Sequence, residues 1–137
     1  MAVTINGTDG IQTPSVNATS GDMSVNGAGA IGYKAGSGGA VTQATSRTTG
    51  VTINKANGSI TLVSAAGSTT AASFTVTNST VAATDTVIVN QKTGSNLYDI
   101  MVTAVADGSF RITQRTTGGS STEAPVFNFA VIKAVNA

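Results

Sequence analysis

The sequence predicts an all-β protein: a β-sandwich or jelly roll of about seven to eight short antiparallel strands, preceded by an extended Gly/Ser-rich N-terminal arm. Three observations carry that expectation. Apolar residues recur with period two from Val41 onward. Turn-forming clusters of Gly, Asn, Asp and Ser separate those runs at intervals of about 10–14 residues. No stretch repeats its apolar residues with the 3.6-residue period of a long amphipathic helix.

The chain divides near residue 40, into an assembly arm over residues 1–40 and a sandwich over residues 41–137. In the first part Val3-Thr4-Ile5 is the one short alternating run. Between Asn26 and Gly39 stand six glycines, at 27, 29, 32, 36, 38 and 39. Glycine loses the most conformational freedom on ordering, so such a stretch is expected to order only against a partner. A plain linker would lack the apolar residues that punctuate it. Ile5, Ile11, Val16, Met23, Val25, Ile31 and Tyr33 are therefore the candidate interchain contacts. Tyr33, an isolated aromatic among glycines, is the first choice as an interchain anchor.

Each later run reads as a strand. Val51-Thr52-Ile53-Asn54 and Ile60-Thr61-Leu62-Val63 alternate, and Ser73–Thr77 sets Phe74 and Val76 on one face. Thr86-Val87-Ile88-Val89 has the continuous apolar character of a buried strand. Leu97–Val105 is a longer strand, Ser109–Thr113 alternates, and Val126–Val135 places Phe127, Phe129 and Val131 on one side. Turns are expected at Ala56-Asn57-Gly58, Ala66-Gly67-Ser68, Asn78-Ser79, Thr93–Asn96, Asp107-Gly108 and Thr117–Ser120. Asn57-Gly58 and Asp107-Gly108 best match the positive φ of a tight hairpin. Ala65-Ala66 and Ala82-Ala83, set among Ser, Thr and Gly, also argue for turns.

Composition narrows the function. Of 137 residues, 40% are apolar and 9% charged, well below the usual quarter or so of charged residues. The polarity comes from hydroxyls and amides. The net charge is +1, and the basic residues Lys34, Arg47, Lys55, Lys92, Arg111, Arg115 and Lys133 are dispersed. Neither nucleic acid nor an anionic membrane is an expected partner, since both select clustered Lys and Arg. Arg111 and Arg115, four apart on one strand, are expected on a solvated face. No run approaches the ~20 apolar residues of a spanning helix. The start lacks a basic and an apolar region, so no signal peptide is expected.

Histidine and cysteine are absent. That removes Ser–His–Asp and Cys–His catalysis and nearly all zinc sites, so the chain is expected to be neither an enzyme nor a cofactor or metal protein. The acids are Asp9, Asp22, Asp85, Asp99, Asp107 and Glu123. Glycoside hydrolysis would need two of them to face each other across a cleft, with Asp99 and Glu123 the residues to test. Asp107 is better explained by its turn and Asp85 by capping a strand entry. Gly27-Ala28-Gly29-Ala30-Ile31-Gly32 fits the dinucleotide-binding spacing, but the glycines that follow it exclude the required helix. Asn6, Asn17, Asn57 and Asn78 match the N-x-[ST] pattern, as chance predicts in a chain so rich in Asn, Ser and Thr. The four phenylalanines at strand positions, Phe74, Phe110, Phe127 and Phe129, are expected in the core.

The stretch from Gly32-Tyr33-Lys34-Ala35-Gly36-Ser37-Gly38-Gly39 through Arg47-Thr48-Thr49-Gly50-Val51-Thr52-Ile53-Asn54-Lys55 resembles a family of small virion proteins of tailed bacteriophages. So does the ending Phe127-Asn128-Phe129-Ala130-Val131-Ile132-Lys133-Ala134-Val135-Asn136-Ala137. With the strands between, the likeness covers residues 30–137, and Thr4-Ile5-Asn6-Gly7-Thr8-Asp9-Gly10-Ile11 is similar to the lead-in of phage fibre proteins. The resemblance implies a capsid decoration (cement) protein or a head or tail fibre, assembled in the host cytoplasm into the virion. Its partners would be its own copies, as a trimer or a dimer, and the major capsid protein or another virion protein. A receptor-binding tip recognising a host glycan or surface protein is the alternative.

Overall fold

A computed structural model of the chain describes residues 32–134. The candidate contacts Ile5, Ile11, Val16, Met23, Val25 and Ile31 lie outside the described residues, as do Asp9, Asp22, Asn6, Asn17 and most of the dinucleotide-like glycine pattern. From Tyr33 on, the chain forms one compact unit.

The protein is all-β. Ten strands and no helix occur among the described residues: β1 (Gly38–Thr42), β2 (Val51–Thr52), β3 (Asn57–Thr61), β4 (Ala65–Ala66), β5 (Ala72–Thr77), β6 (Thr86–Thr93), β7 (Tyr98–Ala106), β8 (Ser109–Thr116), β9 (Thr122–Glu123) and β10 (Val126–Ile132). Three of these, β2, β4 and β9, are two-residue pieces, which leaves seven substantial strands. One sheet has the order β1-β3-β10-β6, the second β2-β5-β8-β7, and β4 pairs with β9 alone. The sheets are mixed: β1 runs parallel to β3 and β2 parallel to β5, where an antiparallel arrangement was expected. Residue 40, where the sequence changes character, falls inside β1.

The two sheets pack face to face. Phe127, Phe129, Val131, Ile60 and Val87 from the first meet Val51, Phe74, Val76, Phe110 and Ile112 from the second. Phe110 and Phe129 stand with ring centroids 5.4 Å apart, and Tyr98 meets Phe127 edge-on at 5.5 Å. All four phenylalanines are buried as expected. Burying such a side chain contributes about 1.5–3 kcal/mol, so the alternating pattern of β5, β8 and β10 decides which face turns inward.

Chain connectivity explains which expected turns form. Nearly every link crosses from one sheet to the other, and only β7 and β8 follow each other within a sheet. Their hairpin is closed by Asp107-Gly108, with Gly108 at φ +75°. Asn57-Gly58, expected to be a second hairpin turn, instead lies inside β3. Gly58 is needed there for close approach rather than for positive φ. A Cβ at Gly58 would sit 2.5 Å from the Gly39 carbonyl and 3.1 Å from the Phe129 ring, its cross-strand partner. Ala65-Ala66 also departs from expectation and pairs with Thr122-Glu123, whereas Ala82-Ala83 does lie in a turn region. The apolar run at Thr86–Val89 is an edge strand, buried on one face only: Val87 points into the core and Ile88 is exposed.

Candidate functional site

Each acidic side chain among the described residues has a structural task. The Glu123 carboxylate accepts the Ser95 and Asn96 backbone N–H groups (Asn96 at 2.9 Å), the Ser95 hydroxyl at 2.9 Å and the Tyr98 hydroxyl at 3.1 Å. It thereby pins the link between β6 and β7, where the chain changes sheets. Burial alone would raise its pKa, but these donors outweigh burial and hold the carboxyl at about 2. Arg47, which no motif or spacing marked out, completes this end of the sandwich. Its guanidinium donates to the carbonyls of Val63 (3.2 Å), Ala65 (2.6 Å) and Glu123 (2.7 Å) and to the Tyr98 hydroxyl (2.8 Å). Burial pushes the Tyr98 phenol up.

Asp85 lies immediately before β6, where a strand-entry cap was expected. It is fully buried, accepts Lys133 Nζ at 2.5 Å and the Ala82 N–H at 2.8 Å, and its pKa is lowered chiefly by the bond from Lys133. Asp107 accepts the Ala83 N–H at 2.8 Å beside its turn. Asp99 pairs with Arg115 at 3.1 Å on the outer face of the second sheet. On the same face Arg111 donates to Thr103, which places both arginines on the solvated side. Asn78 is buried, with its amide donating to Lys55 and accepting from Thr80, so the folded chain withholds that N-x-[ST] asparagine from modification.

An open groove of about 740 Å³ lies on the outer face of the first sheet. Its wall is a turn over Lys34-Ala35-Gly36-Ser37. The Ser37 N–H donates to the Lys34 carbonyl at 3.1 Å, and Gly36 at φ +85° fills the position that demands a left-handed residue. Tyr33 ties the turn down by donating its hydroxyl to the Val131 carbonyl of β10. Its ring remains exposed. The expected interchain anchor thus makes an intrachain bond while leaving its ring available.

The floor follows from strand alternation. Because Ile60, Phe127 and Phe129 point inward, Asn57 and Ser59 of β3 and Asn128 and Ala130 of β10 point outward. Register places Ser59, Asn128 and Asn90 in one row and Asn57, Ala130 and Ile88 in the next. The far wall is β6, with Ile88, Asn90 and Lys92. Lys34 and Lys92 are the charged lining residues. Amides in the floor offer donors and acceptors to an extended backbone, while Tyr33 and Ile88 offer apolar contact.

No protein-family model matches the chain, and neither a curated protein nor a solved structure matches it.

Proposed function

We propose that the chain is a structural protein of a phage virion, decorating or stabilising the capsid through protein–protein contacts as a homo-oligomer. The observation that carries this reading is the outer face of the first sheet: a broad, hydroxyl- and amide-lined groove with exposed Tyr33 and Ile88 at its margins. Such a surface, lined mainly by hydroxyls, amides and backbone, offers another chain many neutral polar contacts and only two ions, Lys34 and Lys92, to desolvate. The resemblance of Gly32–Lys55 and Phe127–Ala137 to small virion proteins supports the same reading. Many weak contacts repeated across a capsid lattice add up to firm attachment.

Quantifying the protein in purified particles tests this. Decoration requires on the order of hundreds of copies per particle, as multivalent coverage uses. A handful would transfer the chain to a tail fibre, and none would refute the reading. A truncation should end at Gly32, because a cut at residue 40 would destroy β1. Removing residues 1–32 is expected to leave a folded sandwich that no longer attaches, measured by co-sedimentation with capsids. Undiminished attachment would remove the arm from assembly.

A further inference from the structure

We propose that the groove on the outer face of the first sheet receives the N-terminal segment, residues 1–31, of a second copy of this chain. The inference rests on the homo-oligomeric reading above and names the surface that would mediate it. Charge complementarity is the first argument. The groove carries Lys34 and Lys92 and no acid, and neither ammonium forms an ion pair among the described residues. Residues 1–31 carry Asp9 and Asp22 and no Lys or Arg. The two charge sets are opposite in sign and equal in number.

Length supplies the second argument. At about 3.3 Å per residue, 31 residues have a maximum reach of ~100 Å. A contour of that length is enough to reach a neighbouring copy. Position supplies the third. The compact unit begins at Tyr33, which is itself part of the groove wall. Every copy therefore carries both a groove and the sequence proposed to occupy one. Reciprocal exchange of that kind closes into a symmetric dimer or ring, with each copy both donor and acceptor. Apolar Ile5, Ile11, Met23 and Val25 would meet Ile88 and the Tyr33 ring, and the asparagines of the floor would bond the extended backbone.

Because the natural chain has no cysteine, disulfide trapping reads this contact without background. One full-length copy carries Asn90→Cys. A differently tagged copy carries Thr8→Cys, Ser15→Cys or Ser24→Cys. Mild oxidation of the mixture should give linked heterodimers with at least one of the three partners. A chain carrying both cysteines of the successful pair is then diluted into an approximately tenfold excess of cysteine-free copies. Its linked fraction should fall by about tenfold, as mass action dictates for exchange between copies. Lys34→Glu with Lys92→Glu should abolish most linking at low salt, and Asp9→Lys with Asp22→Lys in the donor copy should restore it. Absence of any link while near-ultraviolet circular dichroism shows both copies folded would overturn the proposal. A link insensitive to dilution would also overturn it, by assigning the groove to the chain's own segment. If no link forms yet sedimentation shows a stable oligomer, this surface is wrong and the assembly reading stands; a strictly monomeric parent would sink both.

Discussion

Replacing Arg47 by Met is expected to destabilise the sandwich by about 3 kcal/mol. The guanidinium holds three backbone carbonyls, those of Val63, Ala65 and Glu123, together with the Tyr98 hydroxyl, over which it also stacks at 5.7 Å. Those acceptors come from the segment after β3 and from β4, β9 and β7. One side chain therefore ties the β4–β9 pair to β7 and to the segment after β3, which that pairing does not reach. A charge-assisted bond contributes about 1.5–3 kcal/mol net, but four bonds from one half-buried group are not additive, and water replaces part of what is lost. Met fills similar space, so the difference reports bonding rather than packing. For a domain of this size ~3 kcal/mol lowers Tm by about 10 °C. Arg47→Lys keeps the charge but not the planar fork, and should recover less than half of the loss. Urea and thermal unfolding of the three proteins measure this. A loss below about 1 kcal/mol for Arg47→Met would refute the role assigned to the residue.

Glu123 sets an acid limb. Its folded pKa of about 2 lies below the ordinary 4.5, so its contribution is complete above pH 4.5 and disappears as pH falls from there toward 2. Glu123→Gln should lower Tm at neutral pH and flatten the decline over that window; an unchanged slope between pH 4.5 and 2 would contradict the assignment. Asp85, shifted in the same direction, should retain the rest of the slope. Gly58→Ala forces a Cβ to within 2.5 Å of the Gly39 carbonyl and should cost about 1–3 kcal/mol by displacing β1 from β3, read as a lowered urea midpoint with unchanged far-ultraviolet circular dichroism.

The core was legible because period-two alternation is a local property. Phe74 and Val76, Phe110 and Ile112, and Phe127, Phe129 and Val131 all turned inward as their spacing required. Non-local relations were not legible. Asn57-Gly58 has the composition of a hairpin turn, and only the approach of β1 and the Phe129 ring shows why glycine stands inside a strand. The exposure of Ile88 follows from β6 lying at a sheet edge, which depends on the order of strands far apart in sequence. Arg47 gave no signal either. It sits in a loop of small polar residues, and its partners lie 16 to 76 positions away. The groove was half visible: Tyr33 stood out among glycines, but its neighbours Ile88, Asn128 and Ala130 came together only through register.

The same topology bears on how copies of the chain meet. Among the described residues each of the two four-stranded sheets has two unpaired edges, formed by β1 and β6 in the first and by β2 and β7 in the second. Free edges invite uncontrolled strand addition, and this chain blunts its long ones. β6 shifts register against β10 so that Lys92 is left without a partner, and β7 shifts against β8 so that Thr103 is. An extra residue bends the strand and breaks the regular row of donors that another strand would need. The edge at β2 is only two residues long, and that at β1 only five. With edges made poor templates, any association between copies is left to a face. Of the two faces, the second sheet's carries its own Ser73–Thr113–Thr103 hydroxyl ladder and the Asp99–Arg115 pair around an exposed Met101. The first sheet's leaves its asparagines and Ile88 open beside the point where the compact unit begins, so that is the face on which contact between chains should concentrate.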